Sequence, residues 1–203
     1  CGARRQPTLA DKSAVRTVNR RLRKMTDTRL SNQFRKAVGI DYMKDMAPDM
    51  YDRLQILQTY RHVAIVGISA DTSRPSHFVA IYLKAEGYHI VLVNPRYAGQ
   101  TILGQPVYAS LAEAKTAGEL IEIVDVFRRP KDVPPVAEEA IQVGAKVLWL
   151  QLGIRNEEAA QRAQQAGLIV VQDRCIKIEH ARFFGGLHTV GLNTGVIMSK
   201  KLE

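Results

Sequence analysis

Hydroxyl, guanidinium and imidazole groups crowd one short stretch of this chain. Residues 61 to 77 read Arg-His-Val-Ala-Ile-Val-Gly-Ile-Ser-Ala-Asp-Thr-Ser-Arg-Pro-Ser-His. Ser69, Ser73 and Ser76 offer hydroxyl donors, and Arg74, with Arg96 further along, offers a planar cationic fork suited to phosphate oxygens. His77 falls where a helix should begin, so its ring could face the same space. The chemistry these types serve is anion binding. No nucleophile–base–orienter set, no paired carboxylates in a motif and no metal-ligand spacing stands out elsewhere, so no catalytic residue is expected.

The positioning elements can be read around that stretch. The apolar run Val63 to Val66 ends at Gly67, a small polar loop follows, and a helical pattern from about Ser76 to Glu86 stops at Gly87. This is strand, tight glycine turn, helix, the place where a parallel sheet holds a phosphate against free N–H groups at a helix start. Further strands are expected at 89–93, 121–127, 146–150 and 168–171, separated by helices at 111–115, 134–143, 157–166 and 175–184. Ser110 and Asn156 suit N-caps. Between strands two and three, Tyr97, Gly99 and a Gly104-Gln105-Pro106 turn read as a loop. Near-continuous apolar strands between amphipathic helices predict an α/β, Rossmann-like, doubly wound parallel sheet of about five strands with helices on both faces.

In such a sheet the ligand lies outside the carboxyl ends of the strands. Those ends are Gly67-Ile68-Ser69, Asn94-Pro95-Arg96, Phe127-Arg128-Arg129, Gln151-Leu152-Gly153 and Asp173-Arg174-Cys175. NAD is the default ligand of the fold, yet G-x-G-x-x-G is absent, since the next glycine after Gly67 is Gly87. The acid expected for the ribose hydroxyls at the end of strand two is replaced by Asn94-Pro95. A ligand richer in phosphate fits better.

Five segments in order, Val66-Gly-Ile-Ser69 with Ser73-Arg-Pro-Ser76, Val93-Asn-Pro95, Val124-Asp-Val-Phe-Arg128, Gly144 to Gly153, and Asp173-Arg-Cys-Ile-Lys-Ile-Glu-His180, resemble the small bacterial and archaeal CoA-binding proteins. These are similar to the CoA-binding domain of the succinyl-CoA synthetase alpha subunit, standing alone. The resemblance covers about residues 50 to 183. It implies that coenzyme A lies across the strand ends. The Gly67-Ile68-Ser69 turn and Ser73-Arg74-Pro75-Ser76 would then meet phosphates and ribose, and Asn94-Pro95-Arg96 would flank pantetheine and phosphates. Phe127-Arg128 would line the adenosine side and Gln151-Leu152-Gly153 the pantetheine end. The synthetase's phosphorylated histidine belongs to a later domain that this chain does not match, and His188 sits in no corresponding motif. The resemblance therefore implies binding of CoA or an acyl-CoA without catalysis. Two enzyme readings stay open beside it: a component of an acyl-CoA ligase or transferase, and an NAD-dependent oxidoreductase with an altered fingerprint. A third alternative is a thiol redox protein in which Cys175, activated by a helix start and Arg174, forms a mixed disulfide with CoA; the plainer reading of Cys175 is a small buried residue.

Single residues carry similar pairs of readings. His77 is a ligand contact or a helix-start residue. Glu179 and His180, adjacent on a helix, cannot face each other and read as surface or locally bonded groups. Trp149 reads as core, Arg128 as a phosphate clamp and Arg129 as solvated charge. Leu54, Ile56 and Leu57 form an apolar stripe for packing against the sheet, with Tyr51 beside them and Pro48 in the helix's first turn.

Composition bounds the rest. The 203 residues carry 29 Lys/Arg against 20 Asp/Glu. Residues 1–24 hold eight of the former and one of the latter, leaving 21 against 19 for the remainder. The basicity thus belongs to a tail without aromatic residues for base stacking, which argues against nucleic acid. The expected organisation is a basic tail over 1–30, a helical lead-in over 31–60, the CoA-binding domain over 61–184 and a C-terminal tail over 185–203. Residues 1–24 read as non-native or upstream sequence ahead of Met25, as an Arg-rich targeting segment, or as a lipoprotein end at Cys1-Gly2. Neither a membrane span nor a metal site is expected. The expected location is the cytoplasm, and a protein partner or homo-oligomer stays open.

Overall fold

In a computed structural model of the chain, the structure describes residues 50–184, with side chains from Asp52 onward. The expectations for the basic tail, for residues 31–49, for the Tyr51 side chain, for His188 and for the C-terminal tail lie outside the described residues. The elements in order are α1 (Met50–Thr59), β1 (His62–Val66), α2 (Pro75–Ala85), β2 (His89–Val93), β3 (Thr101–Ile102), β4 (Gln105–Tyr108), α3 (Leu111–Thr116), β5 (Ile123–Val126), α4 (Val133–Gln142), β6 (Val147–Leu150), α5 (Glu157–Gln165), β7 (Ile169–Val171) and α6 (Ile176–Phe184). Short 3₁₀ turns occupy Pro95–Tyr97 and Pro130–Asp132.

The sheet has seven strands in the order β3-β4-β2-β1-β5-β6-β7. All neighbours are parallel except the edge pair β3–β4. The chain winds from β1 outward to β2 and β4, then returns past β1 to β5 and winds the other way. Crossovers of one hand taken in opposite directions put their helices on opposite faces. The side chains show this. Val63, Ile65, Ile90, Leu92, Ile123, Val147 and Trp149 pack with Leu57, Val79, Leu83, Ile176 and Phe183 of α1, α2 and α6. Ala64, Val66, Val91, Val93, Val124, Val126, Leu148 and Leu150 pack with Leu111, Ala137, Ala140, Ala160 and Ala163 of α3, α4 and α5. The period-2 alternation within each apolar strand thus feeds two cores.

The count of about five strands is corrected to seven, within the expected class. The two extra strands come from the segment read as a loop. Leu103 and Gly104 both take positive φ (52° and 72°), which makes a two-residue hairpin turn between β3 and β4. Lys84 Nζ donates to the Leu103 carbonyl at 2.7 Å and holds that turn. Ser110 and Asn156 cap as expected, their side-chain oxygens accepting from Glu113 N and Ala159 N. Ile56 and Leu57 are buried and Leu54 partly so, as the stripe predicts, and Trp149 is fully buried.

Gly67 carries the strongest backbone constraint. Its φ is +94°, and a Cβ there would lie 2.5 Å from the Phe127 carbonyl oxygen. Gly87 also has positive φ (+82°) but nothing within 4 Å of a Cβ position. Gly67→Ala is therefore expected to destabilise by about 2–4 kcal/mol, against about 1–2 kcal/mol for Gly87→Ala. Urea denaturation of both variants checks this, and equal losses would contradict the close-approach account.

Candidate functional site

The strand ends are joined by backbone bonds up to the last residue. Gly67 N donates to Val93 O and Phe127 N donates to Val66 O, each at 2.8 Å. The Gly67 turn thus sits between the ends of β2 and β5, where the winding direction reverses. This is the crevice position for an open α/β sheet.

Side chains fix the loop beyond it. Asn94 is buried; its Nδ2 donates to Ile68 O at 2.6 Å, and its Oδ1 accepts from Arg96 N at 3.1 Å. One carboxamide therefore ties the end of β1 to the turn after β2. Ser76 is buried and its Oγ accepts from Ser69 N at 3.1 Å. The buried His77 ring places Nδ1 2.9 Å from Ser69 O; a carbonyl only accepts, so Nδ1 carries the proton. Asp71, which the sequence reading passed over, organises the loop tip. Its Oδ1 accepts from Ser73 N at 2.9 Å and from Ser73 Oγ at 2.7 Å, and these bonds hold the carboxyl below the usual carboxylate range. An Asx turn of this kind was readable from Asp71-Thr72-Ser73.

Of the three expected hydroxyl donors only Ser73 is spent within the loop; the Ser69 and Ser76 oxygens accept from Asp71 N and Ser69 N and keep their O–H groups to donate. Ser73 donates to Asp71, while Ser76 and His77 brace Ser69. Ile68 is fully buried and contributes packing through its side chain. The first turn of α2 offers less than a bare helix start would. Pro75 has no N–H, and the His77 and Phe78 N–H groups bond the Arg74 carbonyl at 3.0 and 3.3 Å.

Cationic charge remains. Arg74 pairs with Asp71 at 3.6 Å, Arg129 with Asp132 at 2.8 Å and Arg155 with Asp173 at 3.3 Å. Arg74 and Arg129 are mostly exposed, in keeping with the solvated reading of Arg129. Arg96 and Arg128 form no ion pair among the described residues, although Arg128 is near enough to Asp132 to help hold its carboxyl down, and they stand after β2 and β5, on either side of the Gly67 turn. Arg128 is half-buried, and its Cδ lies 3.2 Å from where a Gly67 Cβ would be. Pro95 opens the exposed 3₁₀ turn that carries Arg96, and Phe127 packs partly buried against the core of the α1, α2 and α6 face.

The far side of the crevice differs from expectation in its side chains. Gln151 is buried, and its Nε2 donates to Asp125 Oδ1 at 2.7 Å. Leu152 is half-buried, and Gly153 N donates to Asp173 Oδ1 at 2.7 Å. Asp125 is 0 % exposed, the one charged residue of its strand, and burial pushes its carboxyl up to about 8. Sequence reasoning assigned it no role, although an acid inside an otherwise apolar strand is itself a signal.

Cys175 is half-buried. Burial pushes its thiol up, the neighbouring Asp125 adds to this, and bonds from the Ile178 and Lys177 N–H groups offset only part. Burial thus works against the activated thiolate that the redox alternative requires and agrees with the plainer reading of Cys175. Arg174 instead turns its Nη1 onto the Asp173 carbonyl at 2.9 Å. Glu179 and His180 diverge as adjacent helical residues must; both are buried, and Glu179 is locally bonded within its helix, the second of the two expected readings. Glu179 pairs with Arg53 at 2.9 Å and Arg182 at 3.1 Å, and His180 Nδ1 meets the Tyr82 hydroxyl at 2.9 Å. Among the described residues no helix is long and apolar enough to cross a membrane. No group of three His, Cys, Asp or Glu residues among them is placed to hold a metal ion.

A doubly wound sheet with a glycine turn at its switch point, flanked by Arg96 and Arg128, defines a Rossmann-like domain. More particularly, the chain belongs to the CoA-binding domain family, whose model matches residues 61–181. The uncharacterized protein YneT of Bacillus subtilis is 40% identical over 134 residues, spanning 66% of this chain and 96% of that one. A hypothetical protein from Pyrococcus horikoshii superposes with a TM-score of 0.64 at 37% identity, covering 70% of this chain and 96% of its own. A Thermus thermophilus protein gives 0.61 at 35% identity, covering 68% and 100%.

The Asp125 carboxyl has a folded value above its unfolded one. The native state therefore holds an extra proton between about pH 4 and pH 8, and its stability falls as pH rises through that window. Asp125→Asn removes this dependence. It should stabilise by at least about 1.4 kcal/mol at pH 7 and by much less at pH 4. Urea midpoints at the two pH values check this, and an equal gap at both would contradict it.

Proposed function

We propose that the crevice binds coenzyme A or an acyl-CoA, and that this chain binds it without chemistry of its own. The observation that carries the reading is the pair Arg96 and Arg128, cations that form no ion pair among the described residues, flanking the Gly67 turn in a member of the CoA-binding domain family. CoA is rich in phosphate and needs planar donors more than it needs the acid that reads a ribose. Arg96 serves the phosphates from the β2 side and Arg128 from the β5 side. The Gly67-Ile68-Ser69 turn and the Ser73-Arg74-Pro75-Ser76 segment form the wall between them, with Asn94, Ser76 and His77 keeping it in place. Pro95 and Phe127 border the nucleotide. Gln151, Leu152 and Gly153 form the turn that meets the pantetheine arm, and Cys175 lies beyond it.

Calorimetric titration with CoA, dephospho-CoA and NAD tests the reading. CoA is expected to bind and NAD to bind far more weakly. Arg96→Ala and Arg128→Ala should each weaken CoA by about 1–3 kcal/mol. Tighter binding of NAD than of CoA, or two arginine variants with unchanged CoA affinity, would overturn it.

A further inference from the structure

Asp125 occupies the centre of the sheet, paired in register with Ile65 of β1 and Trp149 of β6. Its Oδ1 accepts from Gln151 Nε2, whereas Oδ2 is buried with no hydrogen-bond partner. The polar groups that face it are few: Gln151 from the turn after β6 and Cys175 from the start of α6, with Lys177 beside that thiol. Its register neighbour on β1, Ile65, is apolar and fully buried. A fully buried acid with one satisfied oxygen is costly, and a leucine there would pack without that cost.

The bond it makes reaches one particular piece of the crevice. Gln151 opens the turn Gln151-Leu152-Gly153. Its carbonyl accepts from Ile154 N at 2.9 Å, and the outer side of the turn is held through Gly153 N to Asp173. Asp125 is thus the inner anchor of the turn and Asp173 the outer one.

We propose that Asp125 is a positioning residue that fixes the Gln151-Leu152-Gly153 turn for the pantetheine arm of the ligand, acting through the Gln151 carboxamide. The inference rests on the CoA reading of the crevice and adds a residue that touches no part of the nucleotide. It also couples the arm to pH. Burial keeps the carboxyl neutral up to about pH 8. Above that, Oδ2 becomes an unpaired buried charge, and the turn must shift to let water reach it. Grip on the pantetheine arm then falls while grip on the nucleotide half persists.

Dissociation constants of CoA and of adenosine 3′,5′-bisphosphate, which lacks the arm, separate these effects. Both are measured between pH 6.5 and 9 on the wild type, Asp125→Asn and Asp125→Leu. In the wild type, CoA binding should weaken through pH 8 while bisphosphate binding does not. Asp125→Leu should weaken CoA about tenfold and change the bisphosphate by less than about twofold. Asp125→Asn keeps an acceptor for Gln151 and should flatten the pH profile of CoA binding. Equal loss of both ligands in Asp125→Leu would reduce Asp125 to a general structural role and overturn the inference. So would CoA affinity indifferent to Asp125→Leu and to pH, which leaves the CoA reading intact. A wild type that binds neither ligand at pH 6.5 overturns the CoA reading itself and this inference with it.

Discussion

At the switch point of the sheet, the backbone of one loop passes against the backbone of another. The Gly67 turn lies so close to the Phe127 carbonyl that no side chain fits between them. That approach lets β1 end beside β5 while the chain swings away to α2. It also brings two loops that are 60 residues apart in sequence into one wall. The positive φ of Gly67 and the missing Cβ are separate requirements, and glycine alone meets both. Everything proposed for the crevice depends on this turn, because the Arg128 side chain packs against it where any Cβ on residue 67 would intrude.

The polar atoms around the turn are arranged to hold shape rather than to wait for a ligand. Asn94 spans from β2 to the Ile68 carbonyl, Ser76 and His77 clamp Ser69, and Asp71 closes its own small turn with Ser73. Buried donors and acceptors left alone would each cost about 1–3 kcal/mol, so the bonds of the buried Asn94, Ser76 and His77 rigidify the wall. A wall already rigid before binding reduces the ordering cost of taking up a long flexible ligand. Arg74, Arg129 and Arg155 pair with Asp71, Asp132 and Asp173, whereas Arg96, Arg128 and Arg174 form no ion pair among the described residues.

Much of this was legible in the residues. Apolar runs bounded by Gly and Asn-Pro marked the parallel strands, Ser110 and Asn156 marked helix starts, and Gly67 marked the crevice. What escaped has physical reasons. The β3–β4 hairpin turns on Leu103 in a left-handed conformation, which a leucine rarely adopts, and β3 is only two residues long. That Asp71 claims the Ser73 hydroxyl was not legible, because residue type says nothing about which neighbour a hydroxyl meets first. Arg174 suggested an activated Cys175, but burial outweighs the helix start, and burial depends on packing across elements. Asp125 itself was hidden in plain sight inside an apolar strand, since its partner Gln151 lies 26 residues away.

The central claim is that coenzyme A occupies the crevice between the ends of β1, β2 and β5. Amide hydrogen exchange read residue by residue, with and without saturating CoA, tests it most directly. The account predicts slowed exchange at Gly67 to Phe78, at Arg96 and Tyr97, at Phe127 and Arg128, and at Gly153, with little change at the opposite ends of the strands. Slowing confined to another surface, such as the groove between α4 and α5 lined by Pro134, Glu138 and Arg162, or no slowing anywhere, would contradict it.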